Sequence, residues 1–197
     1  MIVTVTHKNF TEVFDVRKSI FALLLVFFTL AIAGAAFAAD VAITSVGQSP
    51  DGMMVKVLMK KLKVEPEYDA LMKADAVGSQ KVLIAVVGGS SKGLGAAGID
   101  KNEETDRAKS VIEAAKGKGM KVMIMHVGGE GRRGDLSDMF ITAVTPMGDR
   151  VVVVKGGNAD GIFSNSKVAD ADLIEVDSIQ ATVAPLEAAF KEWGVAQ

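Results

Sequence analysis

Apolar residues in this chain fall into two rhythms that alternate along its length. Short continuous runs, Val41–Val46 (VAITSV), Lys81–Val87 (KVLIAVV), Lys121–His126 (KVMIMH), Arg150–Val154 (RVVVV) and a weaker Leu173–Val176, are rich in β-branched residues and read as buried strands. Between them, apolar positions recur at helical spacing. Met54, Val57, Leu58 and Leu62 give one buried face over Met53–Leu62, and Ile179, Val183, Leu186 and Phe190 give another over Ser178–Trp193. Met53, Met54 and Met59 read as adaptable core. Helices are also expected at Glu67–Ala74, Glu104–Lys118 behind an Asp100/Glu103 capping box, Leu136–Thr145 behind Asp135 and Asp138, and Ile162–Val168.

Strands alternating with helices predict an α/β domain of three layers, α/β/α. Its sheet has about five mainly parallel strands, of flavodoxin-like or Rossmann-like type. By analogy with the flavodoxin-like fold, the expected order of the five runs is 2-1-3-4-5. Every strand then delivers its following loop to one edge, where α/β proteins bind ligands. Four of the five runs end in glycine-rich polar loops there.

The first forty residues follow neither rhythm. Arg17 and Lys18 precede an uncharged stretch centred on Phe21–Ile32, which closes on Ala36-Phe37-Ala38. A basic flank, a short apolar centre and an A-x-A site predict a signal peptide, residues 1–38, and a single domain, residues 39–197. The expectation is an exported protein, periplasmic or extracellular, that meets the membrane only through its leader. No cysteine is present, which rules out lipidation at a lipobox, disulfides, iron–sulfur clusters and thiolate zinc sites. With 22 basic and 24 acidic residues the net charge is −2, and no basic stripe suggests a nucleic-acid partner.

Residues 88–98, GGSSKGLGAAG, hold the densest cluster of candidate chemistry. Gly93-Leu94-Gly95-Ala96-Ala97-Gly98 matches G-x-G-x-x-G, yet the helix is expected to begin only at Asp100. His126 stands where a ribose-binding acid belongs, and no Gly-Lys-Ser/Thr follows for a phosphate loop. A nucleotide cofactor is therefore not expected, and the cofactor is left open. Ser90, Ser91, Lys92 and the backbone around Gly93 and Gly95 read instead as a concavity for a small anion. Arg132 and Arg133, at the same edge, suit carboxylate or phosphate, with neutralisation of Glu130, Asp135 and Asp138 as the plainer alternative.

His126, at the end of a strand, is a candidate general acid or base for Ser90 or Ser91, although no G-x-S-x-G accompanies it. Ser49, Asp51 and Asn158 are rim candidates in positions where caps and Asx-turns are also expected. The scattered carboxylates Asp51, Asp135, Asp138 and Asp160 would allow magnesium or calcium without demanding either, and no metal site is assigned. The leading expectation is an exported domain binding a small carboxylate or phosphate compound. The alternatives are a hydrolase or transferase using His126, and a structural or partner-binding envelope protein.

Several stretches together, Ile43–Ser49, Ser91–Ile99, His126–Gly129 with Arg132-Arg133-Gly134 and Leu136-Ser137-Asp138, and Gly156–Gly161, resemble a family of exported bacterial proteins known only as a domain of unknown function (DUF6305-like). The resemblance spans nearly all of residues 39–197 and implies an exported bacterial α/β domain. It brings no catalytic or binding residues. The chain departs from the family pattern at Ala169–Asp172, before the fifth strand.

Overall fold

The computed structural model describes residues 39–196; the expected signal peptide lies outside them. Six parallel strands form one sheet: β1 (Val41–Val46), β2 (Glu67–Tyr68), β3 (Val82–Val87), β4 (Lys121–His126), β5 (Arg150–Val154) and β6 (Asp172–Val176). Their spatial order is β2-β1-β3-β4-β5-β6. The helices are α1 (Asp51–Met59), α2 (Ser91–Ala97), α3 (Lys101–Gly117), α4 (Asp135–Val144), α5 (Ile162–Ser166) and α6 (Val183–Glu192).

The strand period of two divides the core cleanly. Along β3, Val82, Ile84 and Val86 face α1 and α6, beside Val55, Met59, Leu186 and Phe190. Leu83, Ala85 and Val87 face α3, α4 and α5, beside Val111, Ile112, Phe140 and Phe163. The three central strands are inaccessible to solvent over almost their whole length, so they carry continuous apolar runs. This is the expected three-layer α/β architecture of Rossmann-like and flavodoxin-like type.

Three local expectations give way. Glu67–Tyr68 is not helical but a two-residue edge strand beside Ala42 and Ile43. Such a piece has no periodicity to read, and only its pairing defines it. It takes the place next to β1 that the expected order gave to Lys81–Val87, and that run lies on the other side of β1, between β1 and β4. The second correction concerns α1, which begins at Asp51 and turns Val55, Leu58, Met59 and Leu62 inward, leaving Met53, Met54 and Val57 exposed. The third is α2, which starts inside the glycine stretch rather than after it. Ser90 caps it by accepting from the Gly93 amide at 3.0 Å.

The direction in which successive connections step across the sheet reverses at β1, between β2 on one side and β3 on the other. The loop after β1 leads to α1 on one face, and the loop after β3 leads to α2 and α3 on the other. In doubly wound sheets the carboxyl edge at such a switch point is where ligands bind.

Candidate functional site

The loop after β1 is held tightly. Gly47 and Gln48 both have positive φ, 89° and 58°, a conformation that a glutamine adopts only when its surroundings impose it. They are imposed by Glu104, wholly buried on α3, whose Oε1 accepts from the Gly47 amide at 2.8 Å and from Gln48 Nε2 at 3.0 Å. Gln48 also bridges to Gly89 in the loop after β3. Gly93 of α2 sits so close that a β-carbon there would fall 2.0 Å from the Gln48 carbonyl oxygen. The glycine of the G-x-G pair is therefore a packing glycine between two loops.

Arg107 completes this tie. Its guanidinium donates to Glu104 Oε2 at 2.7 Å and Oε1 at 2.9 Å, to the carbonyls of Met72 at 2.8 Å and Ser45 at 2.5 Å, and to Thr44 Oγ1 at 3.3 Å. All five donors are occupied. The sequence reading missed this pair. Its signal was present, because Glu104 lies four residues before Ala108 on the stripe Ala108, Val111, Ile112, Ala115 that faces the core.

The loop after β3 is equally well satisfied. The Gly88 amide donates to the Val46 carbonyl, that of Ser90 to the Gly47 carbonyl, and that of Gly89 to Ser137 Oγ, all at 2.8 Å. Ser137 is a buried residue of α4 that sequence reasoning did not single out. The amides of 88–90 are thus committed within the protein. Ser91 and Lys92, at the start of α2, are exposed.

His126 is fully buried at the end of β4. Nδ1 lies 3.0 Å from the Val87 carbonyl, Nε2 lies 3.0 Å from the Gly129 carbonyl, and the ring leans on Phe163 with centroids 5.4 Å apart. It joins the ends of β3 and β4 to α5, and both ring nitrogens face backbone carbonyls.

The two adjacent arginines have separate surroundings. Arg133 is mostly buried and donates to Asp138 Oδ1 at 2.6 Å, to Asp160 Oδ1 at 3.0 Å and Oδ2 at 2.7 Å, and to the Gly157 carbonyl. Hydrogen bonds from Arg133 hold the Asp138 carboxyl below its ordinary range, and with help from the Ile162 amide they bring Asp160 down to about 2. Asp138 also accepts from the Gly134 amide, at 3.3 Å. The N-cap position of α4 is Gly134 rather than the expected Asp135.

Arg132, one-third exposed, reaches across the strand ends to Asp51, the buried first residue of α1. The stem lies over Gly128, where a β-carbon would fall 2.3 Å from Arg132 Cβ. Nε approaches Asp51 Oδ2 at 3.2 Å, an ion-pair distance whose angle makes no hydrogen bond, and Nη2 donates to Oδ1 at 3.5 Å. Asp51 Oδ2 and Arg132 Nε are accordingly left without hydrogen-bond partners. Ser49 is buried behind this pair; its Oγ accepts from the Asp51 amide at 3.4 Å.

A hollow of about 290 Å³ opens between the loop after β3 and the turn before α4, and its wall includes Gly89, Ser91, Arg132, Arg133, Asp135 and Leu136. Ser91, Arg132 and Arg133 are thereby brought together. Lys92, Gly93, Gly95 and His126 stand outside that wall. So does Asn158, whose side chain caps α5 from 3.0 Å at the Phe163 amide and bonds Ser164 and Glu175. A wider hollow of about 420 Å³ beside Lys155, Glu175 and Asp177 carries more negative than positive charge and repels an anion. Among the described residues no cluster of three or more His, Asp or Glu could hold a metal ion.

The fold and its edge define a doubly wound parallel α/β domain with a polar hollow at the carboxyl edge of the sheet, between the loops after β3 and β4. The chain belongs to the family described as a domain of unknown function, DUF6305, which it matches over residues 38–190. No curated protein matches it.

Proposed function

We propose that residues 39–197 work outside the cytoplasm after removal of a leader ending at Ala38, and bind a small carboxylate or phosphate compound in the hollow between Ser91 and Arg132. The observation that carries the reading is the half-engaged state of Arg132. One edge of its guanidinium rests on Asp51 at 3.2 Å, while the side chain is one-third exposed at the hollow's wall. A planar guanidinium anchored on one edge offers its remaining donors in a fixed orientation, which suits a bidentate anion. Ser91 adds a hydroxyl from the facing wall, and Lys92 adds positive charge nearby. Arg133 supports the site from beneath, because its donors are engaged by Asp138, Asp160 and Gly157. Turnover by His126 is not part of the proposal, since both ring nitrogens face backbone carbonyls in the interior.

Thermal melting of residues 39–197 against carboxylates, phosphates and nucleotides tests binding. A ligand at a hundred times its dissociation constant adds about 2.7 kcal/mol of stability. A panel without any shift from a well-folded protein contradicts the proposal. Amino-terminal sequencing of the protein recovered outside the cytoplasm tests the leader, and a mature chain that still begins at Met1 contradicts that part.

A further inference from the structure

Helix α1 is apolar on two opposite faces. Val55, Leu58 and Met59, with Leu62 in the following 3₁₀ turn, are buried against β1 and β3. At 3.6 residues per turn, Met53, Met54 and Val57 fall on the other side, and Lys60 and Lys61 continue that side beyond the helix. Met53, Met54 and Val57 are 47%, 46% and 55% exposed. They are three of the five large apolar side chains exposed among the described residues. A solvent-facing helix normally carries polar residues there.

The charge along this stretch is mainly positive. From Gly52 to Pro66 the lysines are Lys56, Lys60, Lys61 and Lys63, and the one acid is Glu65. Lys56 lies over the Tyr68 ring at 5.5 Å. Among the described residues, no carboxylate lies within ion-pair distance of Lys60, Lys61 or Lys63.

We infer that this face of α1 docks on an anionic lipid surface. Lysines flanking an apolar stripe lay their alkyl stems along it and reach phosphate groups with their ammonium ends, while Met and Val enter the boundary region. The patch suits a protein partner less well. Its exposed side chains are Met, Val and Lys, Tyr68 beside it lies under Lys56, and protein interfaces are anchored by aromatic residues and arginine and depleted in lysine. A second copy of the chain suits it less well too. Helix α1 and its 3₁₀ turn span only about 20 Å, too little for a stable interface, and the same face offers no carboxylate to the lysines. The inference is independent of the ligand hollow, and goes beyond the membrane contact through the leader that the sequence predicts.

Flotation of residues 39–197, whose two cores are built from their own residues, with phosphatidylglycerol/phosphatidylcholine vesicles and with phosphatidylcholine alone tests it. The chain is expected on the anionic vesicles at low salt, and release is expected at high salt. Met53→Ser/Met54→Ser/Val57→Ser and Lys60→Glu/Lys61→Glu should each lower the bound fraction roughly tenfold. Because the positions are exposed, both variants should melt as the parent does. Absence of binding to anionic vesicles, or equal binding by parent and variants, overturns the inference. So does a dimer in size-exclusion chromatography that the triple variant abolishes while vesicles go unbound, which would assign the face to a second copy.

Discussion

Two arginine–carboxylate pairs stand at the same edge of the sheet and are opposite in character. In Glu104–Arg107 every guanidinium donor is engaged, and the carboxylate also holds the loop after β1 through Gly47 and Gln48. In Asp51–Arg132 one contact is long, the other is misaligned, and two buried polar atoms have no partner. The first pair is closed and holds the fold. The second is open, and the groups it leaves over are of the kind that ordered water, an ion or a ligand satisfies. The sequence points to Asp51 and Arg132 and passes over Glu104 and Arg107; what distinguishes the pairs in the structure is how many donors the fold leaves over.

The sharpest way to break the comparison is to remove each carboxylate. Glu104→Ala leaves the buried Arg107 guanidinium unpaired and frees two positive-φ residues, so urea denaturation should show a loss of about 3–5 kcal/mol. Asp51→Asn leaves a partly exposed arginine that water can solvate, and the loss should stay below about 1 kcal/mol. Equal losses would show that the pairs do the same work.

A smaller effect separates the glycines between the loops. Gly93→Ala forces a β-carbon against the Gln48 carbonyl and should cost about 2–3 kcal/mol. Gly95→Ala meets nothing within 4 Å on a helix and should gain about 0.5–1 kcal/mol, read from the same denaturation curves. Similar results at both positions would undo the packing account of Gly93.

The smallest effect concerns Arg133 and acid. Asp138 and Asp160 have folded-state pKa values below the ordinary 3.8, for Asp160 about 2, mainly through hydrogen bonds from Arg133. Their contribution is therefore present above the unfolded value and disappears as pH falls through the folded ones. Arg133→Gln should be less stable than the parent near neutrality, and melting curves should show the gap narrowing between about pH 4 and pH 2. A gap that is constant over that range contradicts the assignment.

Much of the architecture was legible. The long strands are buried on both faces and the sequence repeats that as unbroken apolar runs; the Asp100/Glu103 capping box is present as read. What was not legible depended on contacts distant in sequence. Glu67–Tyr68 is a strand only because β1 pairs with it. Gly93 and Gly95 disguise a helix, since glycine ordinarily disfavours one, and the reason for Gly93 is a carbonyl forty-five residues away. The expected inward face of α1 was rotated because Met53, Met54 and Val57 are as apolar as the residues that are buried, so periodicity could not choose between the faces. At the edge, adjacency hid the division of labour between Arg132 and Arg133, which only their partners Asp51 and Asp138 with Asp160 reveal.

The central claim is that the open pair binds and the closed pair supports. The measurement that tests it most directly is ligand-induced melting shift in the parent, in Arg132→Lys and in Arg107→Lys, using the best carboxylate or phosphate compound from the panel. Lysine keeps the charge facing each carboxylate but loses the planar fork. Arg132→Lys should melt close to the parent without ligand and lose roughly tenfold or more in affinity, about 1.4 kcal/mol. Arg107→Lys should melt well below the parent yet bind as tightly at temperatures where it is folded. Unchanged affinity in Arg132→Lys, or a loss of affinity confined to Arg107→Lys, would contradict the account.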